Sequence, residues 1–228
     1  MKDHLAPDHL RFAVLACDVV LFTIRNGQLA VRCINVNRPP HFQNIAGLPG
    51  GLLLPEETAE NALERHVLTR AHIDTKKIYF EQLYTFSTIN RDPRGRVVAV
   101  AYLALVPWEK LSQDEQKDTA DSFWAPVYIS PLAYDHDEML AMAIERLRSR
   151  IAYTTIISKL LPAQFTLTEL EQAYTHILNT KLDKRNFRKK ILKLGILKEI
   201  KGKKSKGKFR PASLYTFTSK SVKEVSIL

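Results

Sequence analysis

The sequence predicts an α+β protein with two domains, residues 1–150 and 151–228. Strand-like apolar runs separated by turn residues occupy much of the first part, whereas capped amphipathic helix patterns occupy much of the second. The charge is also divided unevenly: residues 1–150 hold 17 Lys and Arg against 19 Asp and Glu, and residues 151–228 hold 17 against 5. The C-terminal domain is therefore expected to bind a polyanion, and the near-neutral N-terminal domain to bind something else.

The first predicted elements are two strands joined by a hairpin turn. Residues 12–24 and 29–35 are apolar, and Asn26-Gly27 between them supplies the positive φ angles that a tight turn needs. A loop rich in Pro, His and Asn follows and ends at residues 48–51, Leu-Pro-Gly-Gly. Two further strands and the turn between them are predicted at Ile78–Ser87, Arg96–Val106 and Arg91–Gly95.

Two helices are predicted in or next to the N-terminal domain. The first begins at Pro55 or Glu56 and continues to about Ala71, because acidic residues in its first turn precede a run of helix formers. The second runs from Asp137 to about Leu161 with a regular apolar stripe. The two domains are expected to join at this second helix.

The C-terminal part carries clear helix boundaries. Thr166 followed by Glu169 is a capping box that begins one helix, and a second helix is capped by Asp183 and ends at Gly195. A strand at Ile196–Ile200, a tip rich in Lys and Gly, and a strand with the sequence SLYTFT follow. This order predicts a helix-turn-helix with a two-stranded wing.

The cysteines and the N-terminal apolar run indicate the compartment. Cys17 and Cys33 lie in apolar strand sequence without metal-ligand spacing, so buried free thiols and a reducing cytoplasm are expected. The apolar run Phe12–Ile24 is interrupted by Asp18 and Thr23 and lacks a cleavage site, so neither a signal peptide nor a membrane span is expected.

Residues 51–73, GLLLPEETAENALERHVLTRAHI, resemble the Nudix box G-x5-E-x7-R-E-U-x-E-E-x-G-U, in which U is apolar. Counted from Gly51, the matching positions are Glu57, Arg65, Val67 and Ile73. In the Nudix family the remaining carboxylates hold magnesium ions that polarise a diphosphate and activate water. Here those three positions are His66, Thr69 and Arg70, and the position of the box glycine is His72.

Other acidic residues are poorly placed to replace the missing carboxylates. On a helix Glu57, Glu60 and Glu64 fall roughly 150° or more from the centre of the three substituted positions. Because hard cations need converging oxygen ligands, hydrolysis by the usual metal mechanism is not expected. No catalytic residue, metal ion or cofactor is predicted.

The substituted positions leave two interpretations open. Arg70 is either a surface arginine, or it supplies a permanent positive charge where the metal sits in the family and holds a diphosphate by bidentate contact. His66, as a lone histidine, is expected to pack or to be solvated. Gly50 and Gly51 either allow the backbone to approach a ligand or form only a turn.

Five further segments resemble, in order, the Nudix-related transcriptional regulators of NAD metabolism: EQLYTFSTINRDPRGRVVAVAYLALVP (81–107), LAYDHDEMLAMAIERLRSRIAY (132–153), FTLTELEQAY (165–174), DKRNFRKKIL (183–192) and RPASLYTF (210–217). The resemblance covers nearly the whole chain. It implies an N-terminal Nudix-like α/β/α sandwich with a mixed sheet, a C-terminal winged helix, and a homodimer on palindromic operators. It also implies that ADP-ribose or a related nucleotide releases the DNA.

The resemblance further implies ligand-binding residues: Arg38, Gly50, Gly51, Arg70, Tyr84, Phe86, Arg91, Asp92, Arg94 and His136. Structural roles are the alternative for several of them. An Asp in a turn, such as Asp92, commonly caps its own backbone, and an aromatic residue in a strand commonly belongs to the core. For Asp135, next to His136, the alternative role is to cap the helix that follows.

The second helix of the C-terminal domain combines an apolar stripe with a basic face. Phe187, Ile191 and Leu194 recur at helical spacing and are expected to pack on the neighbouring helix. The predicted DNA-binding residues are Lys184, Arg185, Asn186, Arg188, Lys189, Lys193, Lys204, Lys206, Lys208 and Arg210. Those in the first turns are expected to reach base edges, Lys193 a phosphate and Arg210 the minor groove. The alternative to DNA binding is that these residues form only a solvated basic face. For Asn186 the alternative is a buried or capping role.

These patterns together predict a cytoplasmic, homodimeric transcriptional repressor of genes of NAD or nucleotide metabolism. It binds a double-stranded DNA operator and senses ADP-ribose or a related nucleotide without hydrolysing it. Three alternatives stay open: a Nudix hydrolase with a nucleic-acid anchor, a constitutive repressor whose sensor domain only dimerises, and a regulator that responds to a sugar.

Overall fold

The computed structural model describes residues 13–204 and 212–227, so three predicted DNA contacts, Lys206, Lys208 and Arg210, lie outside the described residues. Within these residues the first seven strands are β1 Val14–Arg25, β2 Gln28–Arg38, β3 Phe42–Gly47, β4 Gly50–Leu52, β5 Tyr79–Phe86, β6 Val97–Leu105 and β7 Ser122–Pro126. They form one sheet with the order β3-β2-β1-β6-β5, in which β4 also pairs with β1 and β7 with β2. The pair β1–β6 is parallel and its neighbours are antiparallel, which confirms the predicted mixed sheet.

Helices cover both faces of this sheet. The helices are α1 Ala59–His66, α2 Gln113–Gln116, α3 His136–Tyr153, α4 Leu167–Leu178 and α5 Lys184–Lys193. Because alternate residues of a strand face opposite sides, Val20 and Phe22 of β1 pack in the core that contains α3 residues, whereas Val19 and Leu21 pack in the core that contains α1 residues. The predicted α/β/α sandwich is confirmed.

The first helix begins three or four residues later than predicted. Thr58 is its N-cap, and the Thr58 side chain accepts a hydrogen bond from the backbone N–H of Asn61. After His66 the chain continues as a π-helical turn, Val67–Ala71, and His72 ends it in the left-handed conformation. The predicted start at Pro55 or Glu56 is wrong because the first available side-chain cap is Thr58.

Three short strands were not predicted. β3 and β4 lie in the segment that was expected to be a loop, and β7 had no prediction. β3 pairs with β2, β4 with β1, and β7 with β2. These strands obtain their hydrogen bonds from longer neighbours, and their own sequences contain little of the alternation that marks an independent strand.

The predicted helix from Asp137 to Leu161 is divided in two. α3 ends at Tyr153, Thr154 is extended, and a short 3-10 helix spans Thr155–Lys159. Thr154 forms a bridge with Glu224 near the end of the chain, so a partner about seventy residues away interrupts the helix. The predicted domain boundary at 150/151 falls in the last turn of α3, and it stays a prediction.

The C-terminal elements match the prediction. Thr166 and Glu169 form the capping box of α4, and the Asp183 side chain caps α5 by accepting from the backbone N–H of Asn186. The ring of Tyr174 in α4 packs 5.1 Å from that of Phe187 in α5. Strands β8 Leu197–Lys204 and β9 Ser213–Phe217 pair antiparallel and complete the predicted helix-turn-helix and wing.

The cysteine prediction is also confirmed, since Cys17 and Cys33 are both free and buried. Burial raises the pKa of the Cys33 thiol to about 12. Among the described residues, every helix is too short or too polar to span a membrane.

His72→Gly is expected to stabilise the fold. His72 is exposed and has φ 57° and ψ 41°, at the position where the Nudix box has glycine. A left-handed conformation costs a non-glycine residue about 1–2 kcal/mol, and glycine loses about 0.5–1 kcal/mol of this gain through its greater freedom in the unfolded chain. Urea denaturation should therefore show an increase of up to about 1 kcal/mol in the free energy of unfolding.

The matched control is His41→Gly, at an exposed histidine that does not have a positive φ. This variant should lose stability, because only the entropic effect of glycine applies. Equal shifts for His72→Gly and His41→Gly would show that backbone strain at His72 is negligible.

Candidate functional site

A cavity of about 290 Å³ opens where β1, β2 and β4 meet the end of the π-helical turn and the start of α3. Eight of the ten predicted ligand-binding residues line it: Arg38, Gly50, Gly51, Arg70, Arg91, Asp92, Arg94 and His136. It also contains polar residues that the sequence analysis did not assign to the site, Asp18, Asn35, Asn37 and Tyr134. The signal for Asp18 was its position as a charged residue in an apolar strand.

Tyr84 and Phe86 do not line this cavity in the described chain, and their assignment as ligand-binding residues stays a prediction. Both lie in β5, which β6 separates from β1 in the sheet. Phe86 is buried in the core, whereas Tyr84 is exposed and packs its ring 5.3 Å from that of Phe86. For Phe86 the alternative of a core aromatic residue is therefore correct.

One wall of the cavity carries positive charge without compensation. Within the described part of the chain, the side chains of Arg38 and Arg70 make no hydrogen bond or ion pair. Burial lowers the pKa of Arg70, and repulsion from Arg38 and other arginines lowers it further. Because a half-buried, unpaired guanidinium is costly, this wall favours an anion that can accept its hydrogen bonds.

A buried ion-pair network forms the floor of the cavity. Arg91 donates to both carboxylate oxygens of Asp135, at 2.7 and 2.6 Å, and lies 3.5 Å from an oxygen of Asp18. The side chain of Arg91 is only 3% exposed. Asp135 is the N-cap residue of α3, as the alternative interpretation held, but it makes no side-chain capping bond, because its carboxylate accepts from Arg91.

The turn after β5 shows the capping role that was the alternative for Asp92. Its carboxylate accepts from the backbone N–H of Arg94 at 2.9 Å and from the Arg94 guanidinium at 2.6 Å. The Arg94 guanidinium also lies 5.4 Å from the centre of the Tyr134 ring. The turn is thus held rigidly at the edge of the cavity.

Asp18 and His136 are buried titratable groups that face each other in the cavity. Burial raises the pKa of Asp18 to about 7, although Arg91 opposes this shift, and burial lowers the pKa of His136 to about 4. The His136 Nδ1 accepts a hydrogen bond from the backbone N–H of Leu48 at 2.9 Å, so the neutral ring carries its proton on Nε2. This Nε2 lies 3.8 Å from an Asp18 oxygen.

The residues of the Nudix box hold the fold together. The Arg65 guanidinium donates to both oxygens of Glu57, at 2.7 and 2.6 Å, and to the carbonyl of Leu52. These bonds lower the pKa of Glu57 to about 2. The box glutamate and arginine therefore fasten the loop before α1 to the helix.

The substituted box positions leave no arrangement of oxygens for a metal ion. His66 is buried, with its Nε2 3.2 Å from the Leu52 carbonyl, and a Cβ at Gly51 would lie 2.7 Å from its ring, which confirms the packing interpretation of His66. Thr69 donates to the Arg65 carbonyl, and Glu60 accepts from Tyr102. In residues 13–204 and 212–227, no three His, Cys, Asp or Glu side chains are grouped to hold a metal.

The basic face of α5 is exposed. Phe187 and Ile191 are buried, as predicted. The exposed members of the predicted DNA-binding set on this helix are Lys184, Arg185, Asn186, Lys189 and Lys193. The alternative that Asn186 is buried is therefore wrong. The backbone of Lys204 lies in β8 opposite Ser213, at the tip of the described wing.

Arg188, another member of this set, is bonded to α4. Its guanidinium donates to the Thr168 hydroxyl at 3.0 Å and to the buried carboxylate of Glu171 at 3.1 Å, both in α4. The Lys184 ammonium also lies 3.3 Å from Glu171. Glu171 connects the two helices, and no local sequence signal indicates this role, because the pairing forms across the turn between them.

Comparison with known proteins identifies relatives of both domains. The family model described as the NrtR DNA-binding winged helix domain matches residues 157–217. The ADPR responsive transcriptional repressor NtrR of Acinetobacter baylyi is 33% identical over 209 residues, which cover 90% of this chain and 82% of that protein.

Solved structures give the same result. The crystal structure of Shewanella oneidensis NrtR complexed with a 27mer DNA is similar with a TM-score of 0.77 and 31% identity, over 90% of this chain and 93% of that one. The NUDIX domain of Shewanella oneidensis NrtR complexed with ADP ribose is similar with a TM-score of 0.53 and 31% identity, over 64% of this chain and 99% of that one.

Asp18→Asn and His136→Gln are expected to change the pH dependence of stability in opposite directions. The raised pKa of Asp18 means that the folded state holds its proton more tightly between about pH 4 and 7, so Asp18 lowers the free energy of unfolding as the pH rises. The lowered pKa of His136 means that the unfolded chain holds its proton more tightly between about pH 4 and 6.5, so His136 has the reverse effect.

Relative to the unmodified protein, Asp18→Asn should thus gain stability as the pH rises through this range, and His136→Gln should lose it. Each difference should change by at most about 1.4 kcal/mol per pH unit. Urea denaturation at a series of pH values measures both, and curves parallel to that of the unmodified protein would contradict the assignment.

Proposed function

The chain belongs to the NrtR family of transcriptional regulators, and we propose that it is a DNA-binding repressor controlled by ADP-ribose or a related nucleotide bound in its Nudix-like domain. The relatives support this proposal, because one is named as an ADPR responsive repressor and others were crystallised with DNA and with ADP ribose. By the same resemblance, residues 1–150 act as the sensor, residues 151–228 bind the operator, and the regulated genes serve NAD or nucleotide metabolism.

The observation that carries the proposal is the unpaired Arg70 in the cavity. Arg70 occupies a box position where the Nudix family has a metal-binding carboxylate, and Arg38 lines the same cavity. A diphosphate can accept hydrogen bonds from both guanidinium groups, which provide the positive charge that a magnesium ion would otherwise supply. Polar groups of Asn35 and Asn37, also in the cavity lining, are available to ribose hydroxyls.

Binding without hydrolysis follows from the same residues. A guanidinium can hold a phosphate, but it cannot lower the pKa of a bound water or coordinate the attacking and leaving oxygens. The box glutamate, Glu57, is occupied by Arg65. We therefore propose a sensor rather than a metal-dependent hydrolase.

Contacts across α3 provide a physical connection between the cavity and the winged helix. Arg91 in the cavity floor holds Asp135, which immediately precedes α3. Near the other end of this helix, Arg148 donates to the Ile177 carbonyl of α4, and the Tyr174 hydroxyl of α4 donates to the Ile151 carbonyl. In a homodimer on a palindrome, a ligand that prefers one position of α3 would shift the spacing of the two α5 helices and so change operator affinity.

Calorimetric titration with ADP-ribose tests the sensor. We expect metal-independent binding, equal in EDTA and in magnesium, and no release of AMP in magnesium. Arg70→Ala should weaken binding by about 1.5–3 kcal/mol, because a charge-assisted hydrogen bond is lost. Arg25→Ala is the matched control, since Arg25 pairs with Asp118 and does not line the cavity.

Each other outcome identifies a different function. AMP release that depends on magnesium would indicate a hydrolase. The absence of binding in both buffers, with operator binding intact, would indicate a constitutive repressor or a different effector, such as a sugar. Equal affinities of Arg70→Ala and Arg25→Ala would remove Arg70 from the ligand site.

Operator affinity should fall steeply as the salt concentration rises, and the loss of one phosphate contact should make this dependence measurably weaker. The logarithm of affinity is expected to fall against the logarithm of salt concentration with a slope of about −0.9 per phosphate contact. Lys193 is exposed on α5 and is the predicted phosphate contact, so Lys193→Ala should make the slope shallower by about 0.9 per protomer. Fluorescence anisotropy with a labelled palindromic operator measures this, with Lys117→Ala, outside the winged helix, as the control.

A further inference from the structure

A second, larger cavity lies where the Nudix-like domain meets the C-terminal domain. Its volume is about 540 Å³, and it shares no lining residue with the cavity that contains Arg70. One side is formed by the segment before and at the start of β5 and by residues after β6, and the other by residues 158–163 and the end of β9. Five lysines line this groove: Lys76, Lys77, Lys110, Lys159 and Lys220.

The positive charge of the groove is largely uncompensated. Lys77 is paired with Glu115 at 2.8 Å, but the ammonium groups of Lys76, Lys110 and Lys220 have no hydrogen-bond or ion-pair partner among the described residues. No Asp or Glu of the described chain lines the groove. Lysines of both domains therefore converge on one space without an anion to neutralise them.

The ammonium of Lys159 lies in the groove and is repelled by the neighbouring positive charge. Its ammonium donates to the Lys220 carbonyl at 2.6 Å and lies 5.6 Å from the centre of the Tyr79 ring. Burial lowers the pKa of Lys159, and repulsion from Lys110 lowers it further. An anion in the groove would relieve this repulsion.

The groove is separate from the DNA-binding surface. No residue of α5 lines it. Phe217, which does, pairs with Leu197 at one end of the wing, whereas Lys204 and Ser213 pair near the wing tip at the other end. A duplex held by α5 and the wing tip would therefore approach a different part of the winged helix.

We propose that this interdomain groove, defined by the five lysines, binds an anion that carries two or more phosphate groups. Lysine is a point charge that binds phosphate oxygens, and several lysines on opposite walls suit an extended polyphosphate better than a single phosphate. Since the lysines come from both domains, the anion would bridge them and favour one relative position. The site does not depend on the ADP-ribose proposal.

The test is a calorimetric titration of inorganic tripolyphosphate into the full chain in EDTA. A second titration uses ATP in its place. Lys110→Ala and Lys220→Ala should each weaken tripolyphosphate binding about tenfold, as expected for the loss of one charge-assisted contact. These lysines are exposed and unpartnered, so the substitutions should leave the fold intact. Lys181→Ala, at an exposed lysine outside the groove, is the matched control and should bind normally.

Comparison of the two titrations distinguishes a nucleotide ligand from an inorganic polyphosphate. Tighter binding of ATP would show that a nucleoside contacts the half-buried rings of Tyr79 or Phe217, and equal binding would show that the phosphates suffice. Both results support the site if Lys110→Ala and Lys220→Ala weaken binding.

Three results would overturn the proposal. One is the absence of tripolyphosphate and ATP binding. Another is binding that Arg70→Ala abolishes while Lys110→Ala and Lys220→Ala leave it unchanged, because the anion would then occupy the first cavity. The third is a loss of operator affinity in the groove variants with unchanged tripolyphosphate affinity, which would assign the lysines to DNA. ADP-ribose titrations of the same variants report separately on the sensor.

Discussion

The buried guanidinium of Arg91 is the interaction on which the arrangement of the sensor depends. A charge that is only 3% exposed must be paired, and Arg91 meets Asp135 and Asp18, which come from distant parts of the chain. This requirement brings the turn after β5, the middle of β1 and the start of α3 to one point. The floor of the cavity and the start of α3 are held together at that point, and burial there raises the pKa of Asp18 and lowers that of His136.

The degenerate Nudix box illustrates how a catalytic motif can be retained for its structural contacts. Glu57 and Arg65 still pair and hold the loop before α1, and His66 fills the space beside Gly51. At the substituted box position Arg70 places a cation in the lining of the cavity, where the Nudix family has a metal-binding carboxylate. Under the proposed function, this guanidinium replaces the metal in holding a diphosphate, so that the ligand is recognised without being activated.

Positive charge serves different purposes in three places. In the first cavity it is partly buried and unpaired, which suits a specific anion. On α5 it is solvent-exposed, which suits a phosphate backbone, and Glu171 uses Lys184 and Arg188 to connect α5 to α4. In the groove between the domains it comes from both sides, which suits the bridging anion proposed there. The helix α3 contacts both the sheet of the sensor and α4, and α4 also contacts β2 directly.

The sequence by itself determined the elements whose signals are local. Asn26-Gly27 has the predicted positive φ angles, Thr166 and Asp183 cap their helices, and Gly195 follows α5 in the left-handed conformation. Each signal needs only a few neighbouring residues, so the hairpin and the helix-turn-helix could be predicted. The family resemblance supplied most of the predicted ligand-binding residues that line the cavity, because it carries positions but not contacts.

Only the tertiary structure decided the features that join distant residues. The strands β3, β4 and β7 depend on longer partners, Glu224 interrupts the helix after Tyr153, and Arg91 engages Asp135 across 44 positions. The same holds for Arg188, which pairs with Glu171 of the neighbouring helix, and for Tyr84 and Phe86, which the strand order places away from the cavity. Local propensity cannot specify such pairings, because their free energy arises from burial and charge compensation that exist only after the chain has packed.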